Sequence, residues 1–201
     1  MISKAAFLLP LAYLMGSVPW GLILTRIFSD VDIRAAGSGN IGAFNVYRLT
    51  GKRLGLLTLG ADLLKGVIPV LAGVLWIGTS GWKGEALICL IALSAFAGHL
   101  FPVFLRFKGG KGVATAAGCF LVMSPLAFLV CLLVYVLMLC WWGYASVGSL
   151  SAAVILPPAV WLSTGSIPFT VCALTMAVMI FVRHVDNIKR LIKGTEHTSR
   201  Y

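Results

Sequence analysis

Three polar stretches of this chain combine groups able to hold an anion. Residues 37–48, GSGNIGAFNVYR, set Ser38, Asn40 and Asn45 among glycines and end on Arg48. Residues 108–115, KGGKGVAT, place Lys111 between Gly109, Gly110 and Gly112 and end on Thr115. At the opening of a helix, consecutive backbone N–H groups of such a run form a nest for a negative group, here with Lys111 at its mouth. Residues 183–196, RHVDNIKRLIKGTE, carry His184, Asn187 and Arg190, and Ser146 and Ser149 supply another polar gap upstream. Arginine meets phosphate through a bidentate fork and lysine as a point charge, so phosphate is the guest these stretches suit. His184 is one titrating group of suitable type, although a lone histidine at a helix end is more often a hydrogen-bonding structural residue.

The elements that position these residues follow from composition. The 201 residues are 60% hydrophobic and only 11% charged, with a mean hydropathy of +0.99, whereas soluble domains are roughly 45–50% apolar. The chain therefore reads as an integral membrane protein. Residues 37–42, GSGNIG, fit the dinucleotide fingerprint G-x-G-x-x-G, with Asp62 at about the expected distance of ~20 residues. That fingerprint needs a strand before it and a helix after it in a βαβ unit, and a loop between two membrane helices leaves no room for a parallel sheet. Asp62 then belongs to a helix entering the membrane, where Lys65, three residues on, is its natural partner near the surface. Cys89, Cys119, Cys131, Cys140 and Cys172 all stand in apolar runs without metal-ligand spacing and read as small buried hydrophobes.

The basic residues set the topology. Of the 16 Lys and Arg, all but Lys4, Lys65 and Lys83 fall in three clusters: Arg26, Arg34, Arg48, Lys52 and Arg53; then Arg106, Lys108 and Lys111; then Arg183, Lys189, Arg190, Lys193 and Arg200. Positive charge marks the cytoplasmic side, so an even number of spans separates each pair of clusters. Residues 54–79 and 84–105 supply two. Residues 112–182 supply four, with breaks at Ser124-Pro125, around residues 143–149 and at residues 163–165. An uncleaved first span over residues 3–25 makes seven, with the N-terminus outside and the C-terminus cytoplasmic; five is the fallback. Residues 112–124 are short of the roughly 17–25 residues a spanning helix needs and predict a partial or tilted helix packed on protein. Residues 183–196 predict an amphipathic helix with Ile188, Leu191 and Ile192 on its apolar face, suited to an anionic bilayer.

SGNIGAFNVYR, GHLFPVFLRFKGGKGVAT and RHVDNIKRLIKGTE resemble, in order and spacing, the three cytoplasmic motifs of the bacterial acyl-phosphate-dependent glycerol-3-phosphate acyltransferases. The likeness extends to Gly16-Ser-Val-Pro19, to Asp62-Leu-Leu-Lys-Gly66 and to the serines near 146–149, covering nearly the whole chain. The resemblance implies a single seven-span transmembrane domain in the bacterial inner membrane, with its active site at the cytoplasmic face. It implies transfer of a fatty acyl group from acyl phosphate to the 1-hydroxyl of glycerol 3-phosphate, giving lysophosphatidate and inorganic phosphate in phospholipid synthesis. No cofactor, metal, nucleic acid or obligatory protein partner is implied; the partners are the two substrates and membrane lipid. The first motif commonly has Thr where this chain has Phe44, so no hydroxyl is supplied there.

The catalytic candidates are Ser38, Asn40, Asn45, Lys111, His184 and Asn187; the phosphate-binding candidates are Arg48, Gly109, Gly110, Lys111, Gly112, Thr115, Ser146, Ser149 and Arg190. A general base is harder to name, since the His-x4-Asp pattern of other glycerolipid acyltransferases is absent: Phe104 stands five after His99 and Lys189 five after His184. His99 reads as a hydrogen-bonding residue that holds the next loop. Two other classes stay open. A carrier for an anionic phosphorylated solute also uses basic residues and glycine-broken helices, but near the bilayer midplane. A phosphotransferase using an activated alcohol would need clustered acidic metal ligands.

Overall fold

The computed structural model describes residues 2–198, and among these every regular element is helical. Packing divides the chain into two compact units that part between Cys119 and Phe120. In the first unit stand α1 (Ile2–Ser17), α2 (Trp20–Phe28), α3 (Ala43–Thr50), α4 (Lys52–Ile77) and α5 (Gly81–Leu100). The short α6 (Val113–Met123) runs across the division. The second unit holds α7 (Pro125–Trp142), α8 (Ala145–Thr164), α9 (Ile167–Arg183) and α10 (Val185–Ile192).

Four helices, α4, α5, α7 and α8, are long and apolar enough to cross a membrane; α1 with α2 and α9 with α10 each qualify as one bent pair, making up to six. The expected single span over residues 3–25 is broken, bending 40° between α1 and α2. Pro19 is the cause: it has no N–H to donate and disfavours helical geometry at Val18 before it. The apolar span expected over residues 84–105 is present as Gly81–Leu105, its last residues passing at Pro102 from α5 into a 3₁₀ turn, Val103–Leu105. Arg106 and Phe107 leave that turn with left-handed φ of 52° and 63°. α6 is 11 residues long, the short apolar helix expected of residues 112–124. α7 buries Ala127 and turns most of its large side chains outward, as a lipid-facing helix does. Cys89, Cys119 and Cys172 are buried as expected, but Cys131 is half-buried and Cys140 exposed, both on this outward-facing α7.

Within the first unit, α1 and α5 meet backbone to backbone. A Cβ on Gly16 would strike the Ala95 carbonyl, and one on Gly98 the Tyr13 carbonyl. Ser94 Oγ donates to Leu9 O at 2.7 Å and Tyr13 Oη to Phe101 O at 2.7 Å across the same seam. Small residues that let helices approach are what membrane packing selects, since lipid tails leave no hydrophobic drive between helices. Gly98→Val is expected to destabilise the protein by about 1–3 kcal/mol through overpacking. Thermal unfolding in detergent checks this, and an unchanged midpoint would mean the seam is slack. A similar contact joins α4 to α6, where a Cβ on Gly66 would strike Thr115 O and one on Gly118 would strike Leu63 O.

Candidate active site

The first polar loop is organised by Asn45, at the start of α3 and 2% exposed. Its Nδ2 donates to Ile33 O and Asn40 O at 2.9 Å and to Ala36 O at 3.3 Å, while its Oδ1 accepts from Ser38 N at 2.9 Å. Asn45, one of the expected catalytic residues, thus organises the loop with its side chain. Asn40 Oδ1 accepts from Gly42 N at 3.0 Å and tightens the same turn. Gly37 must be glycine: its φ is +61° and a Cβ would strike Asn45 Oδ1. Beneath the loop Ile33, Ile41 and Val46 form an apolar floor with Leu22, and Leu105 of the next loop packs against it. Arg48 follows Asn45 by one helical turn on α3 and is half-buried. Phe44 lies tilted against the Tyr47 ring with centroids 6.4 Å apart.

The second loop is clamped at both ends. Gly109 N donates to Leu100 O at 3.2 Å and Gly110 N to His99 O at 3.1 Å, so these two donors cap the last carbonyls of α5. Gly109 and Gly110, expected to line an anion nest, thus brace the loop on α5. Thr115, fully buried, donates through Oγ1 to Asp62 O at 2.9 Å and ties α6 to α4, so it too is structural. Lys111 and Gly112 remain at the mouth of α6, whose first N–H groups have no carbonyl a turn earlier within the helix. Gly112 has φ +81°, and a Cβ there would strike the Phe96 ring.

Behind this loop lies a buried polar group. Lys65 Nζ stands 2.8 Å from Asp62 Oδ1 and 3.4 Å from His99 Nδ1. Asp62, Lys65 and His99 are 3%, 4% and 4% exposed, so the expected Asp62–Lys65 pair exists but is buried instead of lying at the surface. The Gly110 backbone packs on the His99 ring so closely that a Cβ would strike Nε2. His99 thus holds the next loop, as expected.

In the second unit, Ser146 and Ser149 occupy the first turns of α8 instead of a gap before it. Ser149 Oγ donates to Ala145 O at 2.9 Å in its own helix. His184, at the bend between α9 and α10, has Nδ1 2.8 Å from Ile180 O. A carbonyl only accepts, so Nδ1 donates in this contact. The inward residue of α10 is Asn187, whereas Ile188 and Leu191 are half-buried and Ile192 is 82% exposed. The apolar stripe is thus divided, with Ile192 left to a surrounding surface.

Glu196 is the residue sequence reasoning overlooked. Its carboxylate accepts from Asn187 Nδ2 at 2.6 Å, Ser146 Oγ at 3.0 Å and Arg190 Nε at 2.8 Å. Three donors expected to serve substrate thus surround a carboxylate of the chain itself. The available signal was an acid six residues after Arg190 in a tail rich in basic residues. Burial works against ionisation of Glu196, but hydrogen bonds from Asn187, Arg190 and Ser146 and the charge of Arg190 outweigh it and hold its pKa below the usual value. A lowered native pKa adds stability above the unfolded value and loses it as pH falls through the native one. The Tm difference between wild type and Glu196→Gln should therefore be full at pH 7, shrink below about pH 4.3, the ordinary glutamate value, and vanish in stronger acid. A difference independent of pH would reject the ion pair as its source.

With this geometry established, the chain as a whole matches known proteins. The sequence matches the glycerol-3-phosphate acyltransferase family over residues 6–194. The chain belongs to the glycerol-3-phosphate acyltransferase family. A glycerol-3-phosphate acyltransferase of Syntrophotalea carbinolica is 46% identical over 186 residues, 92% of this chain and 93% of the relative. The crystal structure of PlsY (YgiH), an integral membrane glycerol 3-phosphate acyltransferase, in its glycerol 3-phosphate form superposes with a TM-score of 0.91 at 37% identity, covering 97% of this chain and 95% of that one. Its lysophosphatidic acid form gives 0.89 with the same identity and coverage. The acyltransferase family match ends two residues before Glu196 and takes in every other site residue named above.

Proposed function

We propose that this chain transfers a fatty acyl group from acyl phosphate to the 1-hydroxyl of glycerol 3-phosphate, releasing lysophosphatidate and inorganic phosphate. Family membership supports the acyl transfer and the acceptor. What supports the phosphate chemistry is that two segments of the first unit each set a basic residue beside small or polar ones, Ser38 with Arg48 in one and Lys111 with Gly112 in the other, the first over an apolar floor that Leu105 packs against. Both substrates carry phosphate and one carries a long apolar tail, so a polar cradle on membrane helices meets their needs together. Ser146, Asn187 and Arg190 provide a second set of anion donors.

Acyl phosphate is an activated mixed anhydride with a good leaving group. Positioning the acceptor hydroxyl and stabilising the developing charge account for most of the rate. The glycerol 1-hydroxyl attacks the acyl carbonyl directly, its proton passes to a substrate phosphate oxygen, and phosphate leaves without an acyl-enzyme. His184, with its proton held on Nδ1 by Ile180, serves as a hydrogen-bonding group beside this step. A bell-shaped pH profile whose basic requirement disappears in His184→Gln would transfer the proton to the enzyme instead.

The domain is a single transmembrane one with seven spans, counting α1–α2, α4, α5, α6, α7, α8 and α9, the N-terminus outside and the active site on the cytoplasmic face of a bacterial inner membrane. The basic loops support that orientation. The test is an assay of purified protein in detergent with glycerol 3-phosphate and palmitoyl phosphate, with palmitoyl-CoA in parallel and excess chelator in a third arm. Turnover with acyl phosphate alone, undiminished by chelator, is expected. Binding of glycerol 3-phosphate without turnover on either donor would favour a carrier.

A further inference from the structure

The turn that follows α5 presents apolar side chains outward. Val103, Phe104 and Phe107 are 41%, 60% and 59% exposed, while Leu105 among them packs against the apolar floor of the first loop. Arg106 and Lys108 stand exposed on either side of Phe107. We propose that residues 102–108 are a lipid-docking turn: Phe104 and Phe107 insert into the rim of the bilayer, and Arg106 and Lys108 bind the phosphate of an anionic phospholipid headgroup. This rests on the chain's being a membrane protein and not on the acyl-transfer reading.

Every backbone N–H from Leu105 to Gly110 has an acceptor within the chain. Leu105 N and Phe107 N donate to Pro102 O at 3.1 and 2.9 Å, Arg106 N to Val103 O at 3.4 Å and Lys108 N to Leu105 O at 3.1 Å, while Gly109 N and Gly110 N reach Leu100 O and His99 O. A turn whose donors are satisfied internally can enter a layer that offers little water, where an ordinary loop cannot. Its backbone is also an unusual one. Arg106 and Phe107 take φ of 52° and 63°, a left-handed conformation that glycine adopts at no steric cost and bulky residues rarely do. The chain keeps an arginine and a phenylalanine there, so the side chains, and not the bend alone, are what the turn presents. Among the described residues no carboxylate pairs with Arg106 or Lys108. Two exposed cations beside exposed rings complement a surface that offers phosphate and hydrocarbon together. Arginine forks onto phosphate, lysine meets it as a point charge, and the rings reach the acyl boundary. A soluble anion could answer the two charges but would leave the rings in water.

Fluorescence quenching tests this in vesicles of phosphatidylcholine and phosphatidylglycerol, with bromine on the acyl chains of one lipid or the other. Phe104→Trp supplies a reporter, read as the difference from the wild-type protein with its 6 native tryptophans. Phe107→Trp supplies a second should the first variant fold poorly. The added indole is expected to be quenched, with brominated phosphatidylglycerol preferred about fivefold, the worth of one basic residue near an anionic surface. Arg106→Gln/Lys108→Gln in the reporter background should abolish that preference while quenching persists. Lys52→Gln/Arg53→Gln removes the same charge from exposed residues at the start of α4 and should leave the preference within about twofold, since separated surface charges are screened. An unquenched indole at both positions would overturn the proposal, because the turn then lies in water or under protein. Equal quenching by the two lipids, or equal loss in the two charge variants, would overturn headgroup binding by Arg106 and Lys108. Acyl transfer by the same samples is measured separately, so failure of the reaction assignment leaves the quenching result standing.

Discussion

Lys111→Ala lowers kcat/KM for acyl transfer by about 10²–10³-fold, the effect of removing one preorganised charged donor from a partly dry site. Lys111 sits between Gly110, buried against His99, and Gly112, whose left-handed backbone and contact with Phe96 leave the loop one conformation. The ammonium is thus delivered to a fixed place and needs no reorganisation when the phosphate arrives. Lys111→Arg keeps the charge but replaces a point donor by a planar fork, and recovery is partial. The Tm of both variants is measured alongside, since Gly109 N and Gly110 N brace the loop on α5 in either case. Steady-state kinetics with both substrates check the result; wild-type rates in Lys111→Ala would remove the phosphate assignment from this loop.

Asn45→Ala is the second large effect and differs in kind. Four hydrogen bonds meet on one amide, three donated to carbonyls of residues 33, 36 and 40 and one accepted from Ser38 N. Truncation leaves these groups without their partner, each buried one costing about 1–3 kcal/mol. The expected outcome is a loss of about 3 kcal/mol or more in stability, together with a fall in kcat/KM of at least about 100-fold as Ser38 and Arg48 lose their register. Asn45→Asp does not rescue, since it keeps the acceptor for Ser38 N but sets a charge against three carbonyls. Activity lost with Tm intact would return Asn45 to direct substrate contact.

The loops carrying Lys111, Arg48 and Asn187 were legible because glycine, amide and basic residues have few other reasons to cluster in so apolar a chain. The helix breaks at Ser124, Gly143 and Gly165 were legible for the same reason, polar or glycine residues standing against long apolar runs. What each polar atom bonds to was not. Asn45, Thr115, Gly109 and Gly110 have the composition of a binding site, yet their donors close loops and cap α5, a choice fixed by backbone path and not by residue type. Glu196 was hidden for the opposite reason: an acid among basic residues reads as a surface charge until the fold folds its carboxylate onto Asn187. The pairing of Asp62 with Lys65 followed from their spacing, but its burial beside His99 depended on α5 packing against α4, which no local pattern encodes.

The seam between α1 and α5 has a kinetic meaning as well. Two helices whose main chains touch at Gly16 and Gly98, and whose hydroxyls at Tyr13 and Ser94 bridge them, have no clearance to glide or rock. A machine that shuttles cargo across a bilayer depends on such relative motion between helical groups. Here the joint acts as a weld: α1 and α5 are fixed to each other as one rigid pair, so any sliding of helices must be sought elsewhere in the chain.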